Sequence, residues 1–129
     1  MKKSIAALLG ITIMLAIALS GCNKAHGGWI MYSYDKSDDG WTLKAKSADS
    51  SDTYDVDLNA DNLSSFRVTS TSSEGKASLI ITQGETEKTI DISGEFNENI
   101  DMGDFEPGTF SLRLSFEQAG NVNVAISWK

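Results

Sequence analysis

Phe110-Ser111-Leu112-Arg113-Leu114-Ser115-Phe116 alternates apolar and polar residues without a fault, and Val122-Asn123-Val124-Ala125-Ile126-Ser127-Trp128 repeats the pattern. Successive side chains of a strand point to opposite faces. A period of two therefore turns one apolar face to a core and leaves the other to water. Ala119-Gly120-Asn121 lies between the two runs and carries turn chemistry. The two runs are expected to form an antiparallel pair joined around Gly120.

Working outward, the same period recurs along the chain. Trp41, Leu43 and Ala45 alternate with Thr42, Lys44 and Lys46, and Tyr54, Val56 and Leu58 alternate with Asp55 and Asp57. Ala77, Leu79 and Ile81 share a face, as do Ile90 and Ile92; Phe96, Ile100 and Met102 share another, interrupted by Glu98. Phe66 and Val68 begin a strand that fades into Thr and Ser. Turn residues separate the runs at Asp38-Asp39-Gly40, Glu74-Gly75 and Gln83-Gly84-Glu85. Glu106-Pro107-Gly108-Thr109 fits a type II turn, in which proline presets the first central residue and glycine supplies the positive φ of the second. The chain is expected to be all-β, a single antiparallel β-sandwich of about eight or nine short strands with almost no helix. A sandwich is preferred to a barrel because no repeated glycine kinks mark barrel corners.

The N-terminus reads differently. Met1-Lys2-Lys3-Ser4 is basic, and residues 5–19 carry no charge. A helix of that length rises about 22 Å, short of a hydrocarbon core roughly 30 Å thick. That is the pattern of an export signal, with the lysines on the cytoplasmic side. It ends in Leu19-Ser20-Gly21-Cys22, which holds the only cysteine of the chain. These four residues resemble the lipobox of bacterial lipoproteins. The resemblance implies that Leu19, Ser20 and Gly21 are read by a signal peptidase, that residues 1–21 are removed, and that Cys22 carries a diacylglyceryl thioether. It places the protein at the outer face of the cytoplasmic membrane, or in an outer membrane where the cell has one, with membrane lipid as a partner through Cys22. Residues 22–28 would then be a lipidated tether and residues 29–129 the β-sandwich domain. No thiol remains for a disulfide, so stability must come from a packed core. The globular part is similar to small β-sandwich domains of lipoproteins from Gram-positive bacteria. The residues that carry this are Pro107-Gly108-Thr109-Phe110, Gly120-Asn121-Val122 and Ile126-Ser127-Trp128; it implies fold and location and no activity.

The formal net charge is −7, and loss of Lys2 and Lys3 makes the mature chain two charges more acidic. Such a chain disfavours nucleic acid and anionic membrane surfaces as partners. The single histidine, His26, sits in the tether. No Ser-His-Asp, Cys-His or zinc-ligand constellation can be assembled, and no catalytic residue, metal ligand or cofactor is assigned. Two features remain. Asp35, Ser37 and Asp39 resemble the first half of a calcium loop, but Lys46 stands where the bidentate glutamate belongs, and a hairpin loop explains the same residues. Trp29, Tyr32, Tyr34 and Trp41 cluster near the start of the domain, and aromatic faces stack on sugar rings or on protein side chains. The expected function is a membrane-tethered, non-enzymatic binding or accessory domain with a protein or glycan ligand. The alternatives are a carbohydrate-binding module, which needs a row of exposed coplanar rings, and an enzyme inhibitor or hydrolase.

Overall fold

A computed structural model describes residues 28–129. The export segment, Leu19-Ser20-Gly21-Cys22 and His26 lie outside the described residues. The elements in chain order are β1 (Trp29–Ile30), β2 (Ser33–Lys36), β3 (Gly40–Ala48), β4 (Ser51–Leu58), α1 (Ala60–Ser64), β5 (Arg67–Thr71), β6 (Glu74–Gln83), β7 (Thr86–Asp91), β8 (Glu95–Asn99) and β9 (Gly108–Ser127). The nine strands are antiparallel, as the alternation requires, and form a sandwich from one sheet folded on itself.

The folding is visible in the pairing. β9 runs against β3 from Ala119 to Ser127 and against β4 from Gly108 to Ser115. On its other side it pairs with β5 and then with β6. β3 and β4 are thus two stretches of one ribbon, as are β5 and β6, and all cross a common crease. The crease passes through residues 49–50, 72–75, 92–94 and 118–121. One half holds β1 and β2, β3, the C-terminal part of β9, β5 and β8. The other holds β4, the N-terminal part of β9, β6 and β7. The halves face each other: Tyr54 of β4 meets Trp41 edge-on at 6.0 Å between ring centroids and Trp128 at 6.2 Å.

Phe110 to Phe116 and Val122 to Trp128 are therefore not a hairpin. They are two parts of one 20-residue strand. Inward residues there are Phe116, Ala119 and Val122, spaced by three instead of two. Each step contains one left-handed residue, Gln118 at φ 50° and Asn121 at φ 51°. A tight hairpin loop wants adjacent positive-φ residues. Two such residues apart act as two bulges, which bend a strand while its ladder continues. Glu74-Gly75 is likewise no turn but a bulge in β6 at the same crease, with Gly75 at φ 79°. Backbone bonds close the crease: Ser73 N–H donates to the Gly120 carbonyl at 2.8 Å, and Phe116 N–H to that of Ser50 at 2.8 Å.

Gly108 has φ 150°, far from the roughly 80° of a type II turn, and it opens β9. The short helix α1 is capped by Asn59, whose side chain accepts from Asn62 N–H while the Asn62 side chain accepts from Asn59 N–H, at 2.8 Å each. That is a capping box with asparagine in the place of the usual Glu or Gln. Helix α1 and residues 100–107 close the open end opposite the crease. Phe66, Met102 and Phe105 are buried there, and Phe66 stacks on Trp128. The core is otherwise the inner faces of the strands, with Trp41, Leu43, Leu79, Ile81, Leu112, Leu114, Val124 and Ile126 fully covered.

Candidate functional site

The two halves are unequal. Five ribbons lie on one side and four on the other, so β1 and β2 overhang the edge of β4. Residues on the inner face of β2 would be core if a fifth strand lay opposite. Instead they form a ledge of aromatic and charged side chains.

Three rings line this ledge. Trp29 stacks on Tyr32 with centroids 4.1 Å apart and planes 19° apart, and Tyr32 stacks on Tyr34 at 5.4 Å and 30°. Trp29 also meets Phe116 edge-on at 5.7 Å, which joins the stack to the core. Offset stacks of this kind are held by the opposed edge and face charges of the rings as well as by burial. Tyr32 hydroxyl donates to Asp52 Oδ2 at 2.6 Å. Burial holds the Tyr32 hydroxyl protonated well above the ordinary tyrosine range, and the Asp52 carboxylate adds to this.

Lys36 completes the ledge. Its Nζ sits 4.9 Å from the Tyr34 ring centroid, 5.4 Å from Trp41 and 5.7 Å from Tyr54. It also pairs with Asp52 Oδ1 at 3.3 Å and donates to the Thr53 carbonyl at 3.1 Å. A cation among ring faces gains from their negative quadrupoles, more so when partly desolvated. The lysine also occupies the free edge of β4, where an unpaired carbonyl would otherwise invite a foreign strand.

The structure separates the four aromatic candidates. Trp41 is fully buried and belongs to the core, so it presents no surface to a ligand. Trp29 and Tyr32 are half-buried and largely cover each other. Tyr34 is 56% exposed. The opposite, outer face of the β2–β3 pair carries a shallow groove of about 240 Å³ edged by Ser33, Asp35, Thr42 and Lys44. The rings are piled face to face, not laid side by side as a flat platform.

Asp35, Ser37 and Asp39 fall where β2 turns into β3, a hairpin with Tyr34 opposite Leu43 and Lys36 opposite Trp41. Ser37 Oγ is engaged within the turn, donating to the Gly40 carbonyl and accepting from Asp39 N–H. Asp39 pairs with Lys129 at 3.1 Å. Ser37 thus serves the hairpin, and Asp39 ties it to the C-terminal lysine. Among the described residues no group of three or more His, Cys, Asp or Glu is placed to hold a metal ion. Likewise, none of the described helices is long and apolar enough to cross a membrane.

Sequence reasoning missed Lys36, Asp52 and Tyr54. Lys36 could have been found, since it shares the period-two face of Tyr32 and Tyr34. Asp52 and Tyr54 could not, because their part depends on how β4 lies under the overhang. A second groove, of about 400 Å³, lies at the closed end between α1 and residues 100–107 and is lined by Leu63, Ile100, Met102, Phe105 and Pro107 among others.

The described residues thus define a small all-β domain with an aromatic ledge along one open edge. No protein-family model matches the chain, and no curated protein does. Among solved structures, the chain is similar to that of the carbohydrate-binding module TmCBM61 in complex with beta-1,4-galactotriose, with 17% sequence identity and a TM-score of 0.38. The match covers 78% of this chain and 63% of that one, so the chain spans less than two thirds of that protein's length.

Proposed function

We propose that this chain is a lipid-anchored, non-catalytic binding domain displayed outside the cytoplasmic membrane, and that it takes a glycan at the Tyr34 ledge. The anchor reading rests on Leu19-Ser20-Gly21-Cys22 and the uncharged run before it. The observation that carries the ligand reading is Tyr34, an exposed ring held by its neighbours on an otherwise polar edge. A sugar presents apolar C–H groups on one face and hydroxyls around its rim. Tyr34 offers an exposed aromatic rim for the first, while Lys36 and Asp52, half-buried on the same inner face, offer a donor and an acceptor for the second. The stack of Tyr32 and Trp29 behind Tyr34 fixes the ring before binding, which lowers the ordering cost of association. The acidic charge of the domain suits a neutral ligand better than an anionic polymer.

The test is retention of the full chain, in mild detergent, on a panel of immobilised neutral and charged polysaccharides. At least one neutral glycan should retard it. Tyr34→Ala should weaken that binding tenfold or more, and Tyr34→Trp should preserve it. Absence of binding across the panel, or equal binding by Tyr34→Ala, would refute the glycan reading.

A further inference from the structure

The large apolar side chains that stand exposed among the described residues are Ile30, Met31 and Tyr34. Two of them are consecutive. Ile30 is 56% exposed and Met31 is 77% exposed. Ile30 ends β1 and Met31 opens the two-residue step to β2 along the edge of β3, and the shape of this step is not loose. Trp29 on one side and Tyr32 on the other stack at 4.1 Å, which clamps the base of the step. Tyr32 is fixed in turn by Asp52. Met31 has φ 53°, a left-handed backbone that side chains other than Gly, Asn and Asp seldom adopt. The fold accepts an unfavourable backbone at the residue whose apolar side chain is most exposed. The left-handed residue lets Trp29 and Tyr32 share the inner face at a spacing of three, as Gln118 and Asn121 do for their neighbours at the crease, so the bend explains the backbone but not the exposure of two consecutive apolar side chains.

The position of this tip says what covers it. Gly28 carbonyl accepts from Asp49 N–H at 2.9 Å, so the chain enters the domain at the crease. From Cys22 to Gly28 there are only six residue steps, which span at most about 20 Å fully extended. Ile30 and Met31 follow within three residues of that entry point. Beside them, Ile30 lies opposite Ser47 and Ser33 lies opposite Lys44. Lys44 and Lys46 are exposed on this adjoining strand. Ile30 and Met31 are therefore flanked by two lysines along β3, while Asp49, Lys76 and Glu117 lie together at the crease beside the chain entry.

We infer that Ile30 and Met31 form a membrane-contact tip that enters the boundary between lipid headgroups and acyl chains, with Lys44 and Lys46 facing anionic headgroups. This rests on lipidation at Cys22. Two side chains bind a bilayer weakly alone. A short tether holds them at a high effective concentration, so the tip sets orientation and not affinity. The crease then faces the membrane. The β3 length of nine residues puts the α1 end roughly 30 Å further out. The Tyr34 ledge opens sideways between them.

The experiment uses the full chain, processed and lipidated, in vesicles of phosphatidylcholine and phosphatidylglycerol. Cys22 is the only cysteine, and lipidation consumes its thiol, so an introduced cysteine is uniquely labelled. Met31→Cys is labelled with a polarity-sensitive fluorophore, and Asp104→Cys, on the far closing segment, serves as the comparison. The Met31 position should show a blue-shifted emission quenched at least twofold by spin-labelled lipid, and the Asp104 position neither. Adding Ile30→Ser, or replacing phosphatidylglycerol with phosphatidylcholine, should reduce the Met31 shift. A probe at Met31 that reports water as fully as the one at Asp104, in chains that float with the vesicles, overturns the tip while leaving the anchor intact. A purified chain whose mass lacks a diacylglyceryl group on Cys22 removes the anchor, and the inference with it. A concentration-dependent blue shift at Met31 without vesicles, in a chain from residue 23 onward that lacks the apolar segment, assigns the tip to a second copy and also overturns it.

Discussion

Tyr34 and Leu43 are direct partners in the β2–β3 hairpin and point to the same face of the sheet. Leu43 is fully buried, whereas Tyr34 is 56% exposed. The difference extends to their regions. Along β9 every inward residue is covered, because both halves of the folded sheet have strands opposite. Along β1 and β2 the inner face is bare, because the facing half stops one strand short. Alternation tells which side of a strand is apolar. Whether that side is covered depends on the width of the opposing layer, which no single strand encodes. The uncovered face is then stabilised by other means: ring stacking, a lysine among aromatic faces and two bonds to one aspartate.

The sharpest way to break this comparison is to truncate both partners. Leu43→Ala should cost about 2–5 kcal/mol in urea unfolding, the usual range for a buried leucine replaced by alanine in a core that cannot collapse. Tyr34→Ala should cost less than about 1 kcal/mol, since its ring is mostly in water already. The two measurements share a strand pair and a face, so the ratio isolates coverage. Similar costs would mean that Tyr34 is covered and that the overhang does not exist in solution.

The crease that creates the unequal halves can be attacked next. Gly75 has φ 79°, and a Cβ there would lie 2.2 Å from the Gln118 carbonyl oxygen. Both the backbone conformation and the clash oppose any side chain. Gly75→Ala should destabilise by about 2 kcal/mol, whereas Gly84→Ala, in an open turn with nothing near, should cost about 1 kcal/mol from its backbone alone. Equal melting temperatures for the two variants would argue that β6 does not pass against β9 at this point.

The crease also shows where sequence reading ran out. The inward residues of β3, β4, β6 and β9 were legible because each lies in a regular period-two run. The hairpin expected at Gly120 was not found, since Ala119-Gly120-Asn121 is turn chemistry that serves equally for a bend within a strand. What decides is whether each run has two other partners, and β4, β6, β3 and β5 supply them. The absence of a regular glycine repeat favoured a sandwich, yet Gly75, Gly94 and Gly120 all lie along the crease. Their spacing looks irregular because the strands between have different lengths. Trp29, Tyr32 and Tyr34 were legible as a cluster. That Trp41 is buried and Tyr34 exposed was not, for the reason that separates Tyr34 from Leu43.

The smallest effect tests how the ledge is held. Tyr32→Phe keeps the ring and its stack on Trp29 and removes the hydroxyl that donates to Asp52 at 2.6 Å. A hydrogen bond to a carboxylate on a partly exposed edge should contribute about 1 kcal/mol near neutral pH. The sign of its pH dependence follows from the raised pKa of Tyr32. Below the unfolded value of about 10, the hydroxyl is protonated in both states and the contribution is whole. Above it, the unfolded chain releases the proton while the folded chain still holds it. The unfolded state gains, and stability falls as pH rises. The stability gap between the native chain and Tyr32→Phe should therefore be level up to pH of about 10 and narrow beyond it. Tyrosinate absorbance near 295 nm should show a late-titrating phase in the native protein that Tyr32→Phe removes. A titration curve that keeps its late phase after the substitution would assign that phase to Tyr34 or Tyr54, and the buried, protonated Tyr32 hydroxyl on Asp52 would be wrong.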